Sequence, residues 1–256
     1  KKNWFNIGGK SKVFYKAENL KDLVNFLKKL NNKEKIFILG AGSNTLVKDN
    51  IYDGVVIKLS KNFNNISLLG EDIIIAGSAV LDTSLSNFAT ENELSGFEFL
   101  SCIPGTIGGG IRMNAGCFGK EFKDILISIQ TIDNLGNVKT ILSKDIKFEY
   151  RKNNLPENLI FLSASFRGVK SNIKKIEKDM NNLKTLKEKN QPSKIKTSGS
   201  TFKNPIKQTD KKVWELIKES VPLSTRFGDA CISEKHSNFF INKGNATFSD
   251  MKRLID

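Results

Sequence analysis

The feature that most constrains this chain is the stretch Ser95-Gly-Phe-Glu-Phe-Leu-Ser-Cys-Ile-Pro-Gly-Thr-Ile-Gly-Gly-Gly-Ile-Arg-Met-Asn-Ala-Gly-Cys-Phe-Gly119. Gly105, Gly108, Gly109, Gly110, Gly116 and Gly119 alternate with apolar Ile103, Ile107, Ile111 and Met113. A flexible linker would not keep those apolar side chains. Glycines set between buried apolar residues imply that backbone approaches something closely or takes positive φ. Amides freed in such turns can form a concave nest for an anion. A polyphosphate lying flat on the loop accounts for both features.

A second glycine turn lies upstream. Ile36 to Leu39 reads as a buried strand running into Gly40-Ala-Gly-Ser-Asn44, followed by Thr45 and Leu46. The glycines admit a diphosphate, and Ser43, Asn44 and Thr45 add side-chain donors. Gly40-Ala41-Gly42 begins like a dinucleotide-binding fingerprint but lacks its third glycine. Asp49 to Gly54 reads as a turn and Val55 to Leu59 as a strand, so no crossover helix follows and a Rossmann reading fails on context. A tight hairpin corner is the competing structural reading.

A chain of 256 residues with 39% apolar content can bury a core and form two or three subdomains. No apolar run reaches the length of a membrane-spanning helix, so no membrane role is expected. No signal peptide is visible; the chain begins at Lys1, which leaves an upstream leader open. Three cysteines, Cys102, Cys117 and Cys231, without Cys-x-x-Cys spacing argue against a disulfide framework or zinc site and for a reducing cytoplasm. The formal charge of +14 raises a nucleic-acid surface as an alternative. However, Ile173, Ile176, Met180, Leu183 and Leu186 fall at helical spacing, which leaves the lysines between 170 and 196 on a solvated helix face. No RNA-binding aromatic motif or zinc finger accompanies them.

The periodicity predicts a helix from Lys16 to Leu30 and strands at 36–39, 73–76, 125–132, 138–142 and 159–167. Asp133-Asn-Leu-Gly-Asn137 is a hairpin signal. Helices are expected at 81–92, 170–189 and 210–220, the second stopped by Gln191-Pro192. A strand is expected over Phe239 to Asn242. A last helix starts at Thr247 with Asp250 in the capping-box position. The domain reading is 1–60 and 61–170 as two subdomains, 171–194 as a linking helix and 195–256 as a further lobe.

Three later motifs follow the glycine turns in order: Tyr150-Arg151, Gly199-Ser-Thr-Phe-Lys-Asn-Pro205, and Gly228-Asp-Ala-Cys-Ile-Ser-Glu-Lys-His-Ser-Asn-Phe-Phe-Ile-Asn242. Over nearly the whole chain this ordered set resembles the UDP-N-acetylenolpyruvoylglucosamine reductase (MurB) family of peptidoglycan synthesis. The short link from Ala164 to Ser198 resembles the branch without an extra substrate-capping loop. The resemblance implies an α+β chain: a two-subdomain FAD-binding fold of the vanillyl-alcohol-oxidase/PCMH type, then an α+β substrate lobe. It implies NADPH-dependent reduction of UDP-N-acetylglucosamine enolpyruvate to UDP-N-acetylmuramate through bound FAD, by a bacterial cytoplasmic monomer. Two rivals stay open here: another FAD-dependent oxidoreductase of the same fold, and a basic nucleic-acid-binding protein.

The resemblance also assigns residues. Ser200 matches the proton donor, whereas the residues alone favour a serine capping the turn between Gly199 and Pro205. Arg151 matches an arginine beside the substrate carboxylate; a salt bridge at a strand end is its bland reading. Tyr150, Lys203, Asn204 and Asn238 are assigned to the substrate. For FAD the expected residues are Gly40, Ala41, Gly42, Ser43, Asn44, Thr45, Leu46, Pro104, Gly105, Thr106, Gly108, Gly109, Asn114, Ala115 and Gly116. The amides of Gly42, Ser43, Asn44, Gly108 and Gly109 are the expected donors. His236, the single histidine, is expected to be a pocket wall rather than an acid or base, and no metal site is expected. The family's catalytic glutamate stands near its C-terminus. This chain ends at Asp256, and neither Glu215 nor Glu234 lies in a matching motif. The expectation is that both ends of the native protein are missing, Asn6-Ile-Gly-Gly9 matching a motif that normally follows a longer leader.

Overall fold

The computed structural model describes residues 2–30, 34–193, 195–206 and 208–256. The range ends 1 and 194 of the expected domains lie outside them. The residues group into two compact units, one of 1–12, 41–53 and 186–256, the other of 13–40 and 54–185. Neither unit is continuous in sequence, unlike the four consecutive ranges expected.

The larger unit holds two sheets. Strand β1 (Ser11–Ala17) precedes helix α1 (Leu20–Lys29), which the side chain of Asn19 caps by accepting from the Asp22 amide. Lys16 therefore lies in a strand, not in the expected helix. The cap fixes where extended chain becomes helical. Strands β2 (Ile36–Ile38) and β3 (Tyr52–Leu59) join β1 in the order β1-β3-β2. Ile36, Phe37 and Ile38 pair parallel with Val55, Val56 and Ile57. A parallel pair cannot be joined by a hairpin, so the hairpin-corner reading of Gly40 to Asn44 is wrong. The third strand also starts earlier than expected, at Tyr52, inside the segment read as a turn. Leu23 and Leu27 of α1 bury against Val55 and Ile57 of this sheet.

The second sheet is antiparallel, in the order 138–142, 126–132, 160–167, β5 (Ile73–Gly77), β4 (Ile66–Leu69). Its first two strands meet across the predicted Asp133–Asn137 turn, where the Asp133 carboxylate accepts from the Leu135 and Asn137 amides. Helix α2 (Asp82–Glu91) and short helix α3 (Ile107–Arg112) join the core around Phe97, Phe99, Phe122 and Phe166. The triple glycine thus forms helix rather than an open nest. A Cβ on Gly110 would stand 2.2 Å from the Phe122 ring, so only glycine lets α3 pack there. Basic helix α4 (Ile173–Asn190) buries Ile176 and Met180.

The smaller unit packs Phe5 and Ile7 against Ala230, Ile232, Phe240, Met251 and Leu254. Helix α5 (Val213–Ser220) begins three residues later than expected. A three-stranded antiparallel sheet (Arg226–Phe227, Ala230–Ile232, Phe240–Asn242) is followed by α6 (Phe248–Ile255). Thr247 and Asp250 form the expected capping box.

Candidate active site

In the larger unit, the chain leaves β2 and reaches Gly40, where an added Cβ would stand 2.6 Å from Thr106 Oγ1. The two glycine motifs therefore touch within this unit. The segment 78–82 runs beside 105–108: Gly108 donates to the Ser78 carbonyl, Ile107 to that of Val80, and Asp82 donates to that of Gly105. The Gly108 amide is thus bonded within the protein. The Thr106 hydroxyl precedes α3 without capping it. Ser78 Oγ and both carboxylate oxygens of Asp82 are buried with no hydrogen-bond partner. Burial alone pushes the Asp82 carboxyl well above the ordinary carboxylate range.

Tyr150 and Arg151 form the turn between two short antiparallel strands, Phe148–Glu149 and Lys152–Asn153. Arg151 takes a left-handed φ of 56°. Its guanidinium donates to the Gly116 carbonyl at 2.6 Å and to that of Asn114 at 3.3 Å, lies 3.5 Å from Glu121 Oε1, and stacks 4.8 Å from the Tyr150 ring centroid. Asn114 is fully buried: its side chain donates to Glu121 and to the Glu149 carbonyl and accepts from the Lys123 amide. Its side-chain amide braces the segments around it. Ala115 likewise donates its amide to Gly110.

In the smaller unit, the Gly199–Lys203 segment runs antiparallel to 238–240. Ser200 bridges Phe239, and the Thr201 amide donates to the Asn238 carbonyl. Ser200 is exposed, and its hydroxyl has no hydrogen-bond partner among the described residues. Asn238, 3% exposed, accepts from the Phe202 amide and donates to the Phe202 carbonyl. Its side chain is a strut under the Ser200 segment. Asn204 accepts from the Val213 amide at the start of α5. Lys203 is exposed. His236 accepts from the Asn238 amide through Nδ1 and packs on Phe239 with ring centroids 4.8 Å apart. Burial holds its pKa below the usual histidine value. Gly42, with φ 70°, accepts from the Trp4 amide, and Leu46 packs on this unit's core.

Residues 11–142 match the FAD binding domain family, and residues 191–256 match the C-terminal domain of UDP-N-acetylenolpyruvoylglucosamine reductase. The UDP-N-acetylenolpyruvoylglucosamine reductase of Pelagibacter ubique is 65% identical over 256 residues, covering 100% of this chain and 85% of the relative. That of Rickettsia typhi is 47% identical over 251 residues, 98% of this chain and 84% of the relative. The chain belongs to the UDP-N-acetylenolpyruvoylglucosamine reductase family. The crystal structure of the Thermus caldophilus reductase, MurB, superimposes with a TM-score of 0.87 at 29% identity, over 99% of this chain and 90% of that one. The two-subdomain FAD-binding fold followed by an α+β lobe is thereby established. The two rival readings, another FAD-dependent oxidoreductase of the same fold and a basic nucleic-acid-binding protein, give way to this family.

The residues present fit the family's FAD. Ser78 Oγ is an orphaned buried donor on the 78–82 segment, beside the place where Gly40 and Thr106 meet too closely for any residue but glycine at position 40. Sequence reasoning overlooked Ser78, Asp82, Glu121 and Lys58, the last of which donates to the Gly40 carbonyl at 3.3 Å. Glu121 and Lys58 are marked only by partners distant in sequence, Ser78 and Asp82 only by burial without a partner; none stands in a motif. Among the described residues no cluster of three or more His, Cys, Asp or Glu could hold a metal ion, and no helix is long and apolar enough to cross a membrane.

Proposed function

We propose that this chain reduces UDP-N-acetylglucosamine enolpyruvate to UDP-N-acetylmuramate, with NADPH as the reductant and FAD as the bound carrier, in peptidoglycan precursor synthesis. The single observation that carries the residue-level reading is Ser200: an exposed hydroxyl, free of partners, on backbone fixed by the 238–240 strand.

When bound, FAD supplies the hydride that NADPH provides. Addition at the alkene's terminal carbon puts negative charge on the carbon bearing the carboxylate, where it delocalises as an enolate. Ser200 protonates that carbon. A serine hydroxyl is a weak acid, so the step needs charge stabilisation beside it. Arg151 serves the substrate carboxylate as a fixed neighbouring cation, its guanidinium held by the Asn114 and Gly116 carbonyls and stacked on Tyr150. Lys203 and Asn204 serve the diphosphate of the uridine nucleotide. Gly40 to Leu46, Pro104 to Thr106, Gly109 and Gly116 serve the cofactor. The working form is a cytoplasmic monomer.

The reading is tested by running the reaction in D2O. Deuterium at the carbon bearing the carboxylate, with one NADPH consumed per product, agrees with it; label at the terminal carbon only reports solvent exchange at the reduced flavin N5–H. Protium at the carbon bearing the carboxylate, or NADPH oxidation without UDP-N-acetylmuramate, contradicts it.

A further inference from the structure

We propose that Lys58 is a cofactor-binding residue whose ammonium neutralises the diphosphate of FAD; the assignment rests on the functional reading above. The β2–β3 register decides where Lys58 stands. Ile38 pairs with Ile57, and the Leu39 amide donates to the Ile57 carbonyl, so the next residue of β3 arrives level with the turn that follows β2. Lys58 Nζ lies 3.3 Å from the Gly40 carbonyl oxygen. On its other side Gly40 is closed by Thr106, whose hydroxyl would be 2.6 Å from a Cβ at position 40. Three features thus meet within one unit: an ammonium, a threonine hydroxyl that does not cap α3, and a glycine whose missing side chain lets the two motifs close on each other.

The charge of Lys58 is uncompensated. It is half-buried, and among the described residues its side chain forms no ion pair, its bond to the Gly40 carbonyl being neutral on the acceptor side. A partly desolvated cation without a counter-ion is unfavourable until an anion arrives. A lysine binds phosphate as a compact point charge, which suits a diphosphate that passes over a backbone turn rather than into a fork. A flavin without the diphosphate has nothing for this ammonium to bind.

The test is FAD affinity of the full chain by quenching of flavin fluorescence, at low and high salt, for wild type, Lys58→Met and Lys58→Arg. Methionine keeps the length of the stem and removes the charge. The expected result is a dissociation constant raised about ten- to a hundredfold in Lys58→Met. Lys58→Arg should stay within about fivefold of wild type, which separates lost charge from misfolding. Inorganic pyrophosphate should compete with FAD in wild type and fail to do so in Lys58→Met. Equal affinity and equal pyrophosphate competition in wild type and Lys58→Met would overturn the assignment alone. A wild-type chain that binds no FAD would overturn both it and the functional reading.

Discussion

The guanidinium of Arg151 donates to the backbone carbonyl of Gly116 at 2.6 Å, tying the Tyr150-Arg151 turn to the end of the glycine segment. With the Asn114 carbonyl at 3.3 Å and Glu121 at 3.5 Å, the arginine spans the segment instead of standing free in a pocket. Arg151→Ala is therefore expected to raise the KM for substrate and also to weaken flavin retention. Lysine cannot reach two carbonyls and a carboxylate with one ammonium, so Arg151→Lys should behave like alanine. Flavin release on dilution, read by fluorescence, checks the second effect. Unchanged retention in both variants would confine Arg151 to the substrate.

Ser200 is free and exposed on a braced segment, so its removal should spare the fold and the first half of the reaction. Ser200→Ala is expected to bleach with NADPH at the wild-type rate and to slow flavin recovery by substrate about a hundred- to ten-thousandfold. Stopped-flow absorbance separates the two halves. Recovery at the wild-type rate would remove Ser200 from the chemistry.

Asn238 holds both backbone groups of Phe202. Asn238→Ala strands a part-buried amide and carbonyl, at a cost of about 2–4 kcal/mol. Thermal unfolding should show a lower Tm. An unchanged Tm would mean that water replaces the strut.

Asp82 gives the pH dependence. Its folded pKa is raised by burial above the unfolded value, so the folded state holds its proton over a window where the unfolded state has lost it. The stability it contributes is full below the ordinary carboxylate range and is lost as pH rises towards the raised folded value, by at most ~1.4 kcal/mol per pH unit. Asp82→Asn keeps the shape and cannot ionise. Tm measured from about pH 4 to about pH 8 should converge for the two proteins at the acid end and favour the variant at the neutral end. Parallel Tm curves would show that Asp82 stays ionised in the folded chain.

Local signals were readable in the sequence where the causes are local. The Asp133–Asn137 turn and the Thr247–Asp250 capping box rest on contacts within four residues, and both form as expected. The Asn19 cap was equally local but was passed over, which let a helix run back into β1. The triple glycine was misread as an open nest because helix propensity alone argues against helix there; the close fit of Gly110 on Phe122 overrides it. The site residues divide in the same way. Gly40 and Ser200 stand in recognisable motifs. The engagement of Asn114, Asn238 and Lys58 depends on partners 35, 36 and 18 residues away, which only the folded chain reveals.

The central claim is that NADPH and the enolpyruvyl nucleotide act in turn through one bound flavin. The most direct test is the anaerobic flavin absorbance of the purified chain, bleached with NADPH and then mixed with UDP-N-acetylglucosamine enolpyruvate. The account predicts return of the oxidised flavin band in step with formation of UDP-N-acetylmuramate. A bleached flavin that stays bleached after substrate is added would contradict it.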